Sequence, residues 1–223
     1  QCYMSYANCG RSANRGECAQ YCRLPYSLQD ANGNILLKNK HLLSLKDLNR
    51  ANFLEDLINA GVMSFKIEGR MKEANYVKNI TAFYRKKLDA ILEHQPERKR
   101  SSFGKSTFFF NPIAEKSFHR GNTDYFLFER SKNMVQLATP KSLGEYIGVV
   151  SQTQRKSIEI DTKIPLHNGD GLCFINSKNE FSGFRINQQE GKSVLFNEAH
   201  NLKKGDKVFR NYDHEFEKQL QML

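Results

Sequence analysis

Thiolates bind metals and attack electrophiles. Four of this chain's five cysteines, Cys2, Cys9, Cys18 and Cys22, fall within its first 22 residues. The segment reads CYMSYANCGRSANRGECAQYCR, and the remaining cysteine is Cys173. Such density at one end points to a site rather than to scattered buried thiols. Disulfide scaffolds are small, secreted and cysteine-dense throughout, which a chain of 223 residues with five cysteines is not. Zinc sites favour paired C-x2-C knuckles, and there are none here. An iron–sulfur cluster accepts irregular thiolate spacing and fits better. Free thiols in a reducing cytoplasm are the plain alternative. The thiols begin at residue 2 of a chain that starts with Gln1, so the expectation is of a fragment whose site continues upstream.

Other side chains add to this constellation. Arg11, Arg15 and Arg23 flank the thiols. They would bind an anion such as a dicarboxylate or phosphate, or balance the charge of a cluster. Lys66 and Glu68 alternate with Met63, Phe65 and Ile67, and Gly69-Arg70 follow. On a strand, the charged pair would share one face at the carboxyl end, where α/β proteins bind ligands. A salt bridge in or at the rim of a barrel is the competing reading. Phe118-His119-Arg120-Gly121 reads as a turn with exposed functional groups. Aromatic and basic residues together stack on and grip single-stranded RNA, but they equally make a strap packed over a neighbouring domain. Hydrolytic signatures are missing: there is no H-E-x-x-H and no G-x-S-x-G, and the six His are scattered.

Residues 1–34 read as irregular and site-forming, with one helical turn placing Cys18 and Cys22 on a shared face. Ser44 to Asp47 resembles a capping box. Leu48, Ala51, Leu54, Leu57 and Ile58 then recur at helical spacing, and Gly61 is a natural stop. A strand over 62–67 and a helix carrying Tyr76, Val77, Ile80, Phe83, Tyr84, Leu88, Ile91 and Leu92 follow. Helix, strand, helix with short joints indicates an α/β fold with parallel strands.

The stretch 95–140 reads as a basic linker, with Arg98-Lys99-Arg100, running into an aromatic-rich strap. From Gly144, six short strands separated by Gly, Asn and Asp turns predict a small β-barrel over 141–212. Within it, Gly169-Asp170 and Gly205-Asp206 echo each other, each entering a strand. Cys173 falls on a core strand, and 213–223 reads as a helix leading out.

With Lys and Arg outnumbering Asp and Glu 34 to 24, the net charge is +10, which favours polyanionic partners such as RNA. Many soluble enzymes are equally basic, so charge gives RNA only a modest edge. No apolar run approaches the length of a membrane span, and no membrane segment or signal peptide is expected.

Cys2-Tyr3-Met4-Ser5 resembles the second half of the signature of the collagenase-like peptidase family U32. Gly10 to Arg23 is also similar to that family, as are Lys66-Ile67-Glu68-Gly69-Arg70-Met71-Lys72, Tyr76-Val77 and Tyr84-Arg85. Phe118 to Tyr125 and Gly205 to Asp213 are similar to the downstream region of its longer members. The resemblance implies an α/β plus β fold, with residues 1–94 as the C-terminal part of a TIM-like barrel and the small β-barrel as an accessory domain. Family members are described as collagen-degrading peptidases, as O2-independent RNA hydroxylases, or as acting in ubiquinone hydroxylation. The downstream region looks most like the ribosomal RNA cytidine-hydroxylating branch. That branch implies a 4Fe–4S cluster, prephenate as oxygen donor, an RNA substrate and a cytoplasmic location. Cys2, Cys18 and Cys22 match family cysteine positions and Cys9 does not, so Cys9 is a spare thiol or a substitute ligand. Lys66, Glu68 and Arg70 are then catalytic candidates. Arg11, Arg15, Arg23, His119 and Arg120 are substrate-binding candidates. Isolated, the fragment is expected to be incomplete, or to act only as an RNA-docking module.

Overall fold

The computed structural model describes residues 3–70, 72–197 and 200–222, so the expectation placed on Cys2 lies outside the described residues. The chain divides into two compact units. Gln1–Leu48, His119–Ser142 and Ile175–Ser182 form the first; Asn49–Phe118, Leu143–Phe174 and Gly183–Leu223 form the second.

The first unit opens with a short helix, α1 (Met4–Cys9), stopped by Gly10 at φ 73°, whose amide donates to the Tyr6 carbonyl. The expected helical turn joining Cys18 to Cys22 does not form. A single 3-10 turn covers Tyr21–Arg23, and Gln20 before it takes φ 57°, so Cys18 lies outside the turn. The stretch is also less irregular than its composition suggests. Strands β1 (Tyr26–Gln29) and β2 (Ile35–Lys40) pair as an antiparallel hairpin. Its turn is closed by Asp30 Oδ1, which accepts from the Asn32 and Asn34 amides at 2.9 Å. Two residues, β3 (Asp47–Leu48), then pair in parallel with β4 (Asn122–Thr123).

Ser44 to Asp47 is therefore not a helix start. Ser44 is fully buried and accepts a hydrogen bond from Arg23, while Asp47 sits in β3. The helix begins later in the second unit, as a 3-10 turn over Ala51–Phe53 leading into α2 (Leu54–Asn59). Gly61 does stop it, at φ 95°. The strand expected over 62–67 is not formed, because no strand among the described residues pairs with it. Helix α3 (Ala74–Glu93) forms where predicted; of its predicted stripe Ile80 is buried, together with Ala82, while Val77 is exposed. Its buried Asn79 would be costly if left unpaired. The side-chain amide donates to the Ile113 carbonyl at 2.6 Å and to Ser117 Oγ at 2.7 Å, and its oxygen accepts from the Ile113 amide at 2.9 Å. One polar side chain thus fixes the strap around residue 113.

The rest of the second unit is built on a curled antiparallel half-barrel. Its strands are β5 (Glu145–Thr153), β6 (Ser157–Asp161), β7 (Gly171–Ile175), β8 (Phe181–Arg185), β9 (Gln188–Glu190), β10 (Ser193–Leu195) and β11 (Lys207–Tyr212), of which Ile175, Phe181 and Ser182 are counted with the first unit. They lie in the order β8-β7-β11-β5-β6-β10-β9, so the sheet is a half-barrel with two outer strands where the sequence predicts a small β-barrel. Alternate residues such as Ile147, Ile158, Ile160, Phe174, Val194 and Val208 point into a common core. Gly148 in β5 would place a Cβ 2.2 Å from the Asp161 carbonyl oxygen, so only glycine lets β5 and β6 approach there.

The echoed turns are physically the same device. Gly169 and Gly205 take φ 92° and 91°, and each following Asp accepts from the amide three residues before it, His167 at 3.0 Å and Lys203 at 2.8 Å. Helix α4 (His214–Gln221) closes the unit, capped by Asp213, whose Oδ1 accepts from the Phe216 amide at 2.9 Å. Among the described residues, no helix is long and apolar enough to cross a membrane.

Candidate thiol and arginine site

In the first unit, α1 carries Cys9 on its last turn. The Cys9 thiol donates to the Ser5 carbonyl at 3.2 Å. Ser5 is itself buried, and its Oγ accepts from the Ala19 amide at 2.8 Å, which pins the loop bearing Cys18 to the helix. Cys18 Sγ in turn accepts from the Gln20 amide at 3.3 Å. Tyr21 lies against Cys9. The electrostatic influence of Cys9 is the largest cause raising the phenol above its usual value, followed by burial and the Cys9 hydrogen bond, with Arg11 opposing.

Next in the chain stand Cys22 and Arg23. Arg23 Nη1 donates to Ser44 Oγ and to the Leu45 carbonyl, both at 2.8 Å. Arg120 lies within electrostatic reach of Cys22 and Arg23, and its guanidinium donates to Asp47 Oδ1 at 3.1 Å and to the Pro140 carbonyl at 2.8 Å. Burial is the largest influence on Arg120 and lowers its value; Asp47 opposes it. The unit therefore gathers Cys22, Arg23 and Arg120 around Asp47 and Ser44.

The other predicted residues have separate partners. Arg11 Nε donates to the Glu17 carbonyl at 2.8 Å, which braces the thiol loop. Arg15 is exposed at the end of the 3-10 turn Ala13–Arg15. His119 Nδ1 accepts from the Gly121 amide at 3.1 Å, and its own amide donates to Ser142 Oγ at 3.3 Å. Lys66, Glu68 and Arg70 belong to the second unit. Lys66 Nζ and Glu68 Oε1 form an exposed ion pair at 2.8 Å, which raises the lysine above its usual value and lowers the carboxylate. Gly69 beside them has no room for a Cβ, which would fall 2.9 Å from Lys72 and Tyr76. Lys72 lies over the Phe118 ring, 3.1 Å from its centre.

Asp47, Ser44 and Tyr21 were not visible as site residues in the sequence, because their role comes from contacts with residues 21 to 73 positions away or from a turn the pattern did not predict. The basic run at 98–100 has a structural use instead. Arg98 donates to the Ile58 carbonyl at 3.1 Å, and Arg100 pairs with Asp89 at 2.6 Å.

Among the described residues, no three His, Cys, Asp or Glu side chains are gathered as a metal site. Cys9, Cys18 and Cys22 by themselves therefore do not make a cluster ligand set. What the guanidinium groups can do alone is bind and orient an anion.

The peptidase family U32 model matches residues 1–136, and the chain belongs to that family. It is 45% identical, over 99% of its length, to the 23S rRNA 5-hydroxycytidine C2501 synthase of Escherichia coli, of which it covers 35%. A collagenase of Porphyromonas gingivalis is 38% identical over 40% of the chain, covering 25% of that protein. The tRNA hydroxylation protein P1 of Bacillus subtilis is 36% identical over 40% of the chain, covering 23% of that protein. The matched segments thus span 23% to 35% of the length of these relatives. No solved structure matches.

Proposed function

We propose that the whole protein hydroxylates cytidine in ribosomal RNA, with this chain supplying thiols, the arginine site and the half-barrel. The observation that carries the reading is the 45% identity to the rRNA hydroxycytidine synthase, which continues through both units rather than stopping at the cysteine segment. The net charge of +10 suits an RNA substrate.

Four finer points belong to the same reading. Residues 1–94 are the C-terminal part of a TIM-like barrel. Cys2, Cys18 and Cys22 join ligands from the rest of the whole protein in holding a 4Fe–4S cluster, which would supply redox chemistry when bound. Prephenate, a dicarboxylate, is the oxygen donor, and guanidinium groups such as Arg15 are suited to bind it bidentately. The protein works in the cytoplasm, where ribosomal RNA is made.

The test is direct. Ribosomal RNA nucleosides from cells with and without the gene are compared by mass spectrometry for a cytidine one oxygen heavier. Its loss on deletion, and its return with the wild-type gene but not with Cys18→Ser, supports the reading; an unchanged nucleoside profile overturns it.

A second reading, a collagen-degrading peptidase, rests on the similarity of 40% of the chain to the collagenase. Gelatin cleavage by the purified whole protein, lost with Cys22→Ser, would favour it over hydroxylation.

A further inference from the structure

The first unit contains a cleft of about 460 Å³ with none of the thiols in its lining, built from side chains that the proposed reaction does not use. Lys38 and Lys40, at the end of β2, form one wall. The strap 137–141 forms another and ends in Lys141, and Glu180 and Phe181 close the third side.

Several features make this a shaped site rather than a loose patch of lysines. Asn39 between the two lysines is held at φ 54°, which breaks the strand's alternation locally. Lys40 Nζ donates to the Asn179 carbonyl at 3.3 Å, which fixes one wall to the other. Thr139 is buried, and its Oγ1 accepts from the Lys141 amide at 3.0 Å, so the strap's backbone is set. Lys141 Nζ lies 5.6 Å from the centre of the Phe181 ring, within cation–π range. His41 also lines the cleft, and its Nδ1 donates to the Arg23 carbonyl at 2.8 Å, because a carbonyl can only accept. That bond fixes Nδ1 as a protonated nitrogen and orients the ring.

Three lysines against Glu180 make the cleft net positive, and Glu180 already accepts from Asn176 Nδ2 at 3.0 Å. The geometry points to a cleft for one segment of single-stranded RNA. Lys38 and Lys141 contact successive phosphates across it, and Phe181 offers its face to an unstacked base. Cations at the walls with an aromatic between them are what a flexible, singly charged backbone with flat bases requires. A protein partner with acidic side chains would use the lysines but would not need the ring. The inference rests on the proposed RNA reading and deepens it by placing RNA on the first unit.

The test uses the intact protein and a fluorescein-labelled 12-nucleotide single-stranded RNA, with fluorescence anisotropy followed from low to moderate salt. Lys38→Gln and Lys141→Gln are each expected to weaken binding about threefold to fivefold and to flatten the salt dependence by about 0.7 in log–log slope. Phe181→Leu is expected to weaken it about tenfold with the slope unchanged, since stacking is not a counterion effect. Lys163→Gln, an exposed lysine in the second unit, should change affinity less than twofold. Unchanged melting temperatures certify folding, and the two lysine variants carry the test if Phe181→Leu does not fold. Wild-type protein that binds RNA, with cleft variants binding as tightly and with the same slope, overturns this cleft and leaves the RNA reading standing. Wild-type protein without salt-dependent RNA binding overturns both. Poly-glutamate competing equally well, with Phe181→Leu indifferent, assigns the cleft to acidic protein and overturns the inference.

Discussion

Asp47 holds Arg120 by two routes. Its Oδ1 accepts from Arg120 Nη1 at 3.1 Å, and its Oδ2 accepts from the Arg120 backbone amide at 2.7 Å. The residues lie 73 positions apart in the chain, and the β3–β4 pairing that joins their segments is only two rungs long. So short a ladder has little stability of its own. The carboxylate reinforces backbone bonds between the same segments, such as Lys46 N–H to the Met134 carbonyl and Gln136 N–H to the Ser44 carbonyl, and it holds a guanidinium within electrostatic reach of Cys22.

Replacing Asp47 with Ala should therefore destabilise the first unit by about 1–3 kcal/mol, the range for leaving a partly buried polar group without its partner. Asp47→Asn, which still accepts from the amide, should cost less. Denaturant unfolding and hydrogen exchange of the 119–123 amides measure both. A wild-type midpoint for Asp47→Ala would show that the backbone bonds between these segments suffice without the carboxylate.

A second charge network predicts acid sensitivity in the other unit. Arg210 is buried and pairs with Glu145 at 2.6 Å, Asp170 at 3.1 Å and Asp213 at 3.0 Å. Burial pushes the Asp213 carboxyl up, but Lys116, the Phe216 amide and Arg210 together outweigh it and hold it below its ordinary value of 3.8. A depressed carboxyl contributes fully above the unfolded value and loses its contribution as pH falls through the folded one. Melting temperature should thus drop as pH falls from about 5 toward 2. Asp213→Asn keeps a helix cap but removes a charge. It should cost about 3 kcal/mol at pH 7 and flatten the acid limb. An Asp213→Asn acid limb as steep as the wild type's would place the sensitivity elsewhere.

The thiols should separate by reactivity. Cys173 is fully buried in β7, its thiol donates to the Leu143 carbonyl at 3.3 Å, and burial pushes its value up to about 12. Cys9 is exposed, and Cys18 and Cys22 are partly so. Iodoacetamide at pH 8 should label Cys9, Cys18 and Cys22 in metal-free native protein, and Cys173 only after urea. Peptide mass spectrometry gives the order. Labelling of Cys173 in native protein at the rate of Cys9 would mean that β7 opens readily.

What the sequence showed clearly was whatever repeats at a short period. The stripe of α3, six strands of the half-barrel and the twin Gly-Asp turns all express local burial or local backbone geometry. What it hid depends on distant partners. Residues 62–67 alternate like a strand, yet a strand exists only beside another, and none among the described residues pairs there. Ser44 has the residue type of a helix cap but is used as an acceptor for Arg23. The β1–β2 hairpin escaped notice because its apolar residues, Leu28, Ile35, Leu36 and Leu37, remain exposed, so its pattern carries no inside–outside alternation. The thiol segment was legible by residue type alone. Its positioning by Ser5, through the Ala19 amide, was not.

Lys66 and Glu68 allow the two readings of that segment to be separated. Their ion pair is 82% and 75% exposed, and an exposed pair of this kind contributes little to folding. A structural role alone therefore predicts that Lys66→Met leaves both the melting temperature and the activity of the whole protein nearly unchanged. A catalytic role predicts an unchanged melting temperature with activity down at least tenfold, because general acid–base groups contribute a hundredfold or more. Hydroxycytidine in ribosomal RNA is quantified in cells carrying Lys66→Met, Glu68→Gln or the double change. If each single change removes most of the activity and the double change removes no more, the two side chains act as one unit on the substrate. Full activity in Lys66→Met would return the pair to the surface, and the chemistry to the thiol and arginine unit.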